Sequence, residues 1–321
     1  MNYVLISPST DAYYNLALDE YLLNTLSEED RILYFYVNKK AVIIGRNQNP
    51  WLECNLNQLN ADGVQLVRRI SGGGAVYHDD GNLNFSFMCH ESCYDEKEQT
   101  GIILTALQSL GIKAEITGRN DIAIEGKKFS GNAYCRRQNI QQRHGTLLVN
   151  SMLDVFDRYL SVPKQKLIAK GVKSVRSRVC NLSEYRQGLK NEELIEAITQ
   201  AYEERYGECV LYTIENANEN EIQRLKEKNE SWEWKMGEAP EFDYVFENRF
   251  SWGMTQICLT VKKAMIEKMR VYSDSLDNSL SERMQDQLCG VRFEKMEILK
   301  KLPLLEGEAK DIAEYITGTF E

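Results

Sequence analysis

Three consecutive glycines, Gly72 to Gly74, constrain this chain more than any other feature of its sequence. They follow an apolar, strand-like stretch that ends in the pair Arg68-Arg69, and they precede a second strand-like stretch, Leu83 to Phe87. In the second stretch apolar and polar residues alternate, which predicts a half-buried strand. A glycine run weakens regular structure, so it marks a loop that needs positive φ angles or a close approach of its backbone to another group.

Arginines beside such a loop favour an anion as that group. Successive backbone N–H groups form a concave anion site, and arginine adds planar bidentate donors. A hairpin turn with two solvated arginines is the competing interpretation. The spacing matches neither the phosphate loop that ends in Gly-Lys-Ser/Thr nor the dinucleotide fingerprint that opens a helix. The residues alone therefore predict an anion-binding loop on a β-scaffold and do not name the anion.

Composition narrows the class of protein. The chain has 321 residues, enough for a large core and two domains, and its net charge of −9 argues against a nucleic-acid or membrane-surface binder. The N-terminus lacks signal-peptide features, and no stretch is long enough to span a bilayer. The eight cysteines are scattered. Cys89-His90-x-x-Cys93 comes nearest to a metal pattern but lacks a second pair, so we expect free thiols and a cytoplasmic protein.

Two hairpins are predicted from turn signals between apolar runs. Ile32–Val37 and Ala41–Gly45 predict strands joined by a tight turn, and a second hairpin is predicted with Glu125-Gly126 at its tip. Past that tip Lys127 and Lys128 are adjacent, so on a strand they face opposite sides. Spacing alone does not decide which lysine faces a site.

The second half of the chain suggests one more strand, a basic loop, a domain boundary and two amphipathic helices. The helices are expected at Asn191 to Tyr206 and around the apolar stripe Leu280, Met284 and Leu288. His144 is expected to begin a strand, where an isolated histidine is more often structural than catalytic. The irregular basic segment Lys164 to Arg178 predicts a lid or binding loop, with a solvated connector as the alternative. The aromatic, acidic stretch Ser231 to Glu247 marks the expected boundary between a larger domain, residues 1–247, and a smaller one, residues 248–321.

The glycine loop with its flanks, Arg68 to Phe85, resembles the signature of the lipoate–protein ligase A family. Other motifs are similar in order and spacing over nearly the whole chain: Gly45-Arg46 with Gln48 to Trp51, Gly118 to Asp121, Lys128 to Tyr134, His144 to Leu148, Ala169 to Val179, and Ser231 to Trp234. The final ~70 residues match mainly in length, as suits a less constrained small domain. The resemblance implies an α+β fold: a large catalytic domain like that of biotin and lipoate protein ligases, with mixed sheets and flanking helices, and a small C-terminal α/β domain.

The resemblance also implies a chemistry. Lipoate is activated by ATP to lipoyl-AMP with release of pyrophosphate. The acyl group then passes to a lysine of an apo lipoyl domain of a 2-oxoacid dehydrogenase complex or of the glycine cleavage H protein. ATP and Mg²⁺ are the implied cofactors, and lipoate is the substrate. No enzyme nucleophile is needed, because the enzyme positions two anions and stabilises charge at phosphorus. We expect a monomer that binds neither nucleic acid nor membrane.

Roles for individual residues follow from the resemblance by position. Lys128 is implied to contact both the lipoyl carbonyl and the phosphate, which selects it over Lys127 as the catalytic lysine. Asp121 is implied as a Mg²⁺ ligand, since a carboxylate is a hard ligand. The basic segment Lys164 to Arg178 matches the family's adenylate-binding loop. The implied nucleotide-binding residues are Arg69, Gly74, Ala75, Val76, Tyr77 and Lys128. The implied lipoate-binding residues are Ser71, Gly73, Lys128 and His144.

Two alternatives differ from the ligase in mechanism or in class. An octanoyl or lipoyl transferase of the same fold would work through a cysteine thioester without ATP, and Cys180 lies where such a nucleophile could sit. The ligase-like run Ser174 to Arg178 and the additional domain oppose this interpretation. A non-catalytic lipoyl-binding protein is the second alternative, and the presence of Lys128 and Arg69 opposes it.

Overall fold

The structure is a computed structural model that describes residues 1–117, 121–160, 179–214, 217–238, 242–273, 277 and 279–320. These residues form two compact units. Unit 1 comprises Met1–Arg46 and Leu59–Ser231, and unit 2 comprises Asn47–Gln58 and Trp232–Glu321. The predicted basic lid, residues 164–178, lies outside the described residues. The predicted division into a catalytic domain, residues 1–247, and a small accessory domain, residues 248–321, stays a prediction.

Unit 1 is built on two sheets. Its strands are β1 (Asn2–Ile6), β2 (Arg31–Val37), β3 (Ala41–Ile44), β4 (Gln65–Arg68), β5 (Val76–His78), β6 (Asn82–His90), β7 (Glu115–Thr117), β8 (Asp121–Ile124), β9 (Lys127–Arg137), β10 (Ile140–Leu148) and β11 (Val210–Leu211). The large sheet has the order β11-β1-β2-β6-β10-β9-β8-β7, and the small sheet has the order β4-β3-β5. In the large sheet β1 is parallel to β2 and β11, and the other pairs are antiparallel.

Helices complete the core of unit 1. They are α1 (Ala12–Thr25), α4 (Glu96–Ser109), α5 (Phe156–Tyr159), α6 (Asn191–Tyr206) and α7 (Glu219–Glu230). Helix α2 (Pro50–Glu53) belongs to unit 2, and α3 (Leu56–Asp62) crosses the boundary between the units after Gln58. Helix α1 begins at Asp11, whose carboxylate accepts from the N–H of Tyr13, and it packs against the large sheet with most of its length buried. Helix α6 has the bounds that its apolar stripe predicts.

The first predicted hairpin is wrong, because β2 and β3 belong to different sheets. Val37 at the end of β2 pairs with Leu83, whereas Ala41 pairs with residues of β4 and β5. At the end of β2 a backbone carbonyl bonds to a side chain and not to a partner strand. Asn15 on α1 donates through Nδ2 to the carbonyl of Val37. The turn residues therefore carry the chain from one sheet to the other.

Strand β6 is buried on both faces, so the expectation of a half-buried strand is wrong. It lies between β2 and β10, and its first eight residues are all buried. Its polar residues keep hydrogen-bond partners: Asn82 donates to Oδ1 of Asn84, and Asn84 donates to the carbonyl of Tyr36. The alternation of apolar and polar residues could not show whether the polar side chains of β6 face solvent or are buried.

The predicted hairpin at Glu125-Gly126 is confirmed. Both tip residues have positive φ, 50° and 74°, as a two-residue turn between twisted strands requires. The expected strand start at His144 is wrong, because β10 begins at Ile140 after a turn in which Gln138 has a φ of 51°. His144 thus lies in the middle of a strand that the polar pattern concealed.

Unit 2 is a three-stranded antiparallel sheet covered by helices. Its strands are β12 (Phe242–Phe250), β13 (Gly253–Lys262) and β14 (Met265–Ser273), and its later helices are α8 (Leu280–Leu288), α9 (Lys295–Leu299) and α10 (Glu308–Gly318). A short π-helix, Glu233–Gly237, precedes β12. The predicted stripe of α8 is buried, and the ring of Trp51 packs 5.7 Å from that of Phe293. The expected boundary at 247/248 falls inside β12.

None of the helices in the described parts of the chain combines the length and the apolar character needed to cross a bilayer.

Candidate functional site

Arg69, at the start of the glycine loop, is a buried clamp for that loop. Its side chain donates from Nε and Nη2 to the carbonyl of Gly72, from Nη2 to the carbonyl of Gly74 at 2.8 Å, and from Nη1 to the carbonyl of Ile43 at 3.2 Å. Burial lowers the pKa of Arg69 to about 10, which leaves it charged at neutral pH. The arginine expected to bind phosphate is thus engaged in holding the loop.

Gly45 and Gly73 are needed where the glycine loop packs against its neighbours. A Cβ on Gly45 would lie 2.2 Å from the carbonyl oxygen of Gly73. Gly73 has a φ of 98°, and a Cβ there would lie 2.7 Å from Nη2 of Arg69. Both positions therefore exclude a side chain, Gly45 by close approach and Gly73 by close approach and positive φ, whereas a Cβ on Gly72 or Gly74 would meet nothing within 4 Å.

Ser71 and His144 form a buried pair behind the loop. The Ser71 hydroxyl lies 2.6 Å from Nε2 of His144 and accepts a hydrogen bond from Nε of Arg69. Burial, with a smaller effect of the Arg69 charge, lowers the pKa of His144 to about 3. His144 is therefore neutral near pH 7 and acts by position and hydrogen bonding, and it cannot supply positive charge.

These elements enclose one cavity of about 280 Å³ within unit 1. Eight of the ten predicted site residues line it: Arg69, Gly73, Gly74, Ala75, Val76, Tyr77, Lys128 and His144. Ser71 and Asp121 are not among the lining residues, but each bonds to one that is. Two stretches separated by some fifty residues, the glycine loop and the lysine strand, therefore meet at a single cavity.

Lys128 is the lysine that faces the cavity, as the resemblance implies. It lines the cavity, while Lys127 beside it is exposed. The Nζ of Lys128 lies 2.7 Å from Oδ1 of Asp121 across the β8–β9 hairpin, and both side chains are about two-fifths exposed. The ion pair holds the ammonium group near the cavity mouth, where it can meet an incoming anion.

The cavity also contains residues that the sequence interpretation did not single out. Its polar lining includes Tyr36, His78, Asn82, Asn84 and Thr146, and its apolar lining includes Leu16, Ile43, Leu148 and Phe156. The polar residues of β6 were visible as an alternating pattern, but they were interpreted as a solvated face. Such a mixed lining suits a ligand with an apolar chain and a polar end.

Cys180 is placed unfavourably for nucleophilic catalysis. It is fully buried, is not among the cavity-lining residues, and its thiol donates to the carbonyl of Lys127. Burial raises the pKa of Cys180 to about 11, which keeps it protonated at neutral pH. Since the thiolate is the nucleophile, this cysteine lacks the environment that activates catalytic thiols.

Two family models and a curated relative match most of this chain. Residues 11–203 match the model of the lipoyl protein ligase A/B catalytic domain, and residues 239–318 match that of the bacterial lipoate protein ligase C-terminus. The lipoate-protein ligase A of Psychrobacter cryohalolentis is 36% identical over 99% of this chain and 98% of its own length.

Two solved structures are similar to most of the chain. A bipartite lipoate protein ligase from Thermoplasma acidophilum, studied with its E2 lipoyl domain, has a TM-score of 0.66 and 29% identity, covering 74% of this chain and 97% of its own. A lipoate-protein ligase A bound with ATP has a TM-score of 0.64 and 27% identity, covering 74% and 98%.

A cavity that joins a glycine loop to a lysine strand on an α+β scaffold suits an enzyme that binds an anionic substrate. With the matches above, the chain belongs to the lipoate–protein ligase A family. It is an ATP-dependent lipoate–protein ligase, so the predicted family, fold class and enzyme class are confirmed.

Proposed function

We propose that the cavity of unit 1 binds lipoate and ATP together and forms lipoyl-AMP there, before the acyl group passes to a lysine of a lipoyl domain. The observation that carries this proposal is the convergence of Lys128 with the backbone of Gly73 to Tyr77 on one cavity wall. The lipoate carboxylate attacks the α-phosphate and displaces pyrophosphate. The acceptor amine then attacks the mixed anhydride, and AMP leaves.

Lys128 is the proposed electrostatic catalyst. An ammonium group placed between the carboxylate and the α-phosphate reduces their repulsion and stabilises charge that develops at phosphorus. Its ion pair with Asp121 supports this role, because the carboxylate aims the flexible lysine side chain before substrate arrives. A fixed donor loses less entropy when the transition state forms.

Arg69 contributes by holding the loop. Its donors to the carbonyls of Ile43, Gly72 and Gly74 fix the backbone path that leads into Ala75 and Val76. Backbone N–H groups in that stretch are the proposed contacts to nucleotide phosphate or base. The buried guanidinium also makes the local potential positive, which favours an anionic ligand without a direct contact.

Mg²⁺ fits the site through one carboxylate. In the described parts of the chain, no three metal-binding side chains cluster together. Mg²⁺ at nucleotide sites is commonly held by one or two carboxylates together with substrate phosphates, so Asp121 suffices as the protein ligand. When bound there, the ion would neutralise phosphate charge. A rise in the KM for Mg²⁺ in Asp121→Asn, larger than the rise in the KM for lipoate, would support this assignment.

Lipoyl domains are the acceptor class, consistent with the T. acidophilum ligase and its E2 lipoyl domain. We propose that the acceptors are apo lipoyl domains of 2-oxoacid dehydrogenase complexes or the glycine cleavage H protein, and that the enzyme is a cytoplasmic monomer. Incubation with each apo acceptor, followed by intact-mass measurement, decides between them. If one of the two acceptors gains no lipoyl group under conditions in which the other is lipoylated, the first is not a substrate.

We propose that unit 2 serves one half-reaction more than the other, through closure on the adenylate or docking of the acceptor. Every cavity-lining residue belongs to unit 1, so a chain truncated after Ser231 keeps the cavity lining. We expect this truncation to affect lipoyl-AMP formation and acyl transfer unequally. Equal losses in both half-reactions would contradict the proposal.

The direct test of the proposed function is pyrophosphate release with lipoate, ATP and Mg²⁺. We expect release that depends on lipoate, continues without acceptor until the adenylate fills the site, and survives in Cys180→Ser. Absence of release together with acyl transfer that Cys180→Ser abolishes would replace the ligase with the thioester transferase.

A further inference from the structure

His78, at the end of β5, lines the cavity and has no role in the chemistry described so far. Its side chain is buried, with the residue only 3% exposed. Its Nδ1 lies 3.1 Å from Nδ2 of Asn38, and its Nε2 has no hydrogen-bond partner among the described residues. A buried polar nitrogen without a partner is costly, so it calls for an explanation.

A chain of hydrogen bonds fixes the tautomer of this histidine. Asn15 donates through Nδ2 to the carbonyls of Ser9 and Val37 and to Oδ1 of Asn38. Oδ1 of Asn38 is therefore an acceptor, and its Nδ2 is the donor to Nδ1 of His78. In a neutral imidazole whose Nδ1 accepts, the proton resides on Nε2.

The ring is neutral in the folded protein. Burial, together with the nearby Arg69 charge and His144, lowers the pKa of His78 to about 3. Nε2 therefore presents a single N–H group. Since Nδ1 is held by Asn38, Nε2 is the ring nitrogen left to bond a ligand in the cavity.

The position of His78 indicates which part of the ligand it meets. Asn38, its partner, directly follows β2, whereas Lys128 lies on β9. The strand order β2-β6-β10-β9 separates these strands by three spacings, about 14 Å in total. A carboxylate held at Lys128 thus leaves the far end of a medium-length acyl chain on the His78 side.

We propose that the Nε2–H of His78 donates a hydrogen bond to a dithiolane sulfur of lipoate and thereby favours lipoate over a saturated fatty acid of equal chain length. Divalent sulfur is a weak acceptor, but no described protein group accepts from Nε2 and competes with it. Octanoate carries no acceptor at that end and leaves the N–H unsatisfied. This inference rests on the proposed function of the cavity.

The test compares kcat/KM for lipoate and octanoate, measured by pyrophosphate release. In His78→Leu the preference for lipoate should fall at least fivefold, while His78→Gln, which keeps an N–H donor, should retain part of it. Equal loss for both acids in His78→Leu would show a structural role and overturn the inference. A rise in the KM for ATP without a change in preference would assign the histidine to the nucleotide and overturn it as well.

A measurement on the unaltered protein removes the question of whether the variants fold. The chain has three histidines, so single substitutions at His78 and at His90 assign all three ring ¹H–¹⁵N correlations. The spectrum should show the Nε2-protonated tautomer for His78, and its N–H signal should move with lipoate and stay in place with octanoate. An Nδ1-protonated ring, or equal shifts with both acids, would refute the contact. Lipoate-dependent pyrophosphate release by the wild type tests the proposed function separately. If release occurs while both acids shift the His78 signal equally, the histidine contact is refuted and the ligase function stands.

Discussion

The buried carboxyl group of Asp19 on α1 lowers the free energy of unfolding when it is ionised. Replacing this group with a neutral amide should therefore stabilise the protein. The residue is 4% exposed, and its Oδ2 accepts a 2.7 Å hydrogen bond from Nε2 of Gln142. Burial raises the pKa of Asp19 to about 7 from 3.8; hydrogen bonds from Ser86 and Gln142 oppose the rise, and the charge of Glu20 adds to it. Asp19→Asn keeps the shape and the acceptor oxygen but cannot ionise.

The sign of the effect follows from proton linkage. With the folded pKa above the unfolded one, the folded chain binds the proton more tightly, so Asp19 lowers stability as pH rises from about 4 to 7. Three pKa units correspond to about 4 kcal/mol in the free energy of unfolding. The stability difference between Asp19→Asn and wild type should therefore grow from about zero near pH 4 to at most about 4 kcal/mol above pH 7.

The assay must report on unit 1. All four tryptophans, at positions 51, 232, 234 and 252, lie in unit 2. Tryptophan fluorescence therefore reports on the unfolding of unit 2 and not on that of unit 1. Hydrogen exchange of peptides from β6 and β10, corrected for the intrinsic pH dependence of exchange, gives the local free energy of opening.

The control is Asp157→Asn, which removes an exposed carboxylate in unit 1. It should leave the protection of β6 and β10 as in the wild type at both pH 5 and pH 8, because this side chain is exposed on α5, outside those strands. A stability gain in Asp19→Asn that is also the same at pH 5 and pH 8 would show that the carboxyl group does not titrate in this window, and it would refute the reasoning.

Three further predictions concern the site. Lys128→Ala should lower pyrophosphate release by roughly 10²-fold or more, while the matched control Lys127→Ala stays near wild type; parallel losses would contradict the electrostatic role. Gly45→Ala places a Cβ 2.2 Å from the carbonyl of Gly73, so we expect loss of lipoate-dependent release and altered exchange in the glycine loop, and an active, unshifted variant would disprove the close-packing argument. Cys180→Ser should retain acyl transfer in mass spectra of the acceptor, and its loss would revive the thioester mechanism.

Local signals in the sequence predicted local structure well. The turn at Glu125-Gly126 and helix α6 follow from a few neighbouring residues, and both have the expected positions. The same holds for the buried stripe of α8. In each case the chemistry that forms the element lies within the element itself.

The sequence did not predict which strands share a sheet or which partners the polar side chains bind. β2 and β3 look like a hairpin, but long-range pairing with β6 and β4 separates them. The hydrogen bonds from Arg69 to the carbonyls of Gly72 and Gly74 could not be predicted, because the sequence does not show how the glycine loop folds back. The role of Arg69 in nucleotide binding stays a prediction. His78 and Asn82 became visible as cavity residues only once distant strands were brought together.

The central claim is that one cavity, lined by Lys128 and the glycine loop, makes an acyl-adenylate whose acyl group reaches a protein lysine. The most direct measurement is intact-mass analysis of an apo lipoyl domain after reaction with lipoate and ATP, with AMP and pyrophosphate quantified together. We predict one lipoyl group per domain, one AMP and one pyrophosphate for each, with the formation of all three slowed by roughly 10²-fold or more in Lys128→Ala. Lipoylation that proceeds without ATP, or without stoichiometric AMP, would contradict the account.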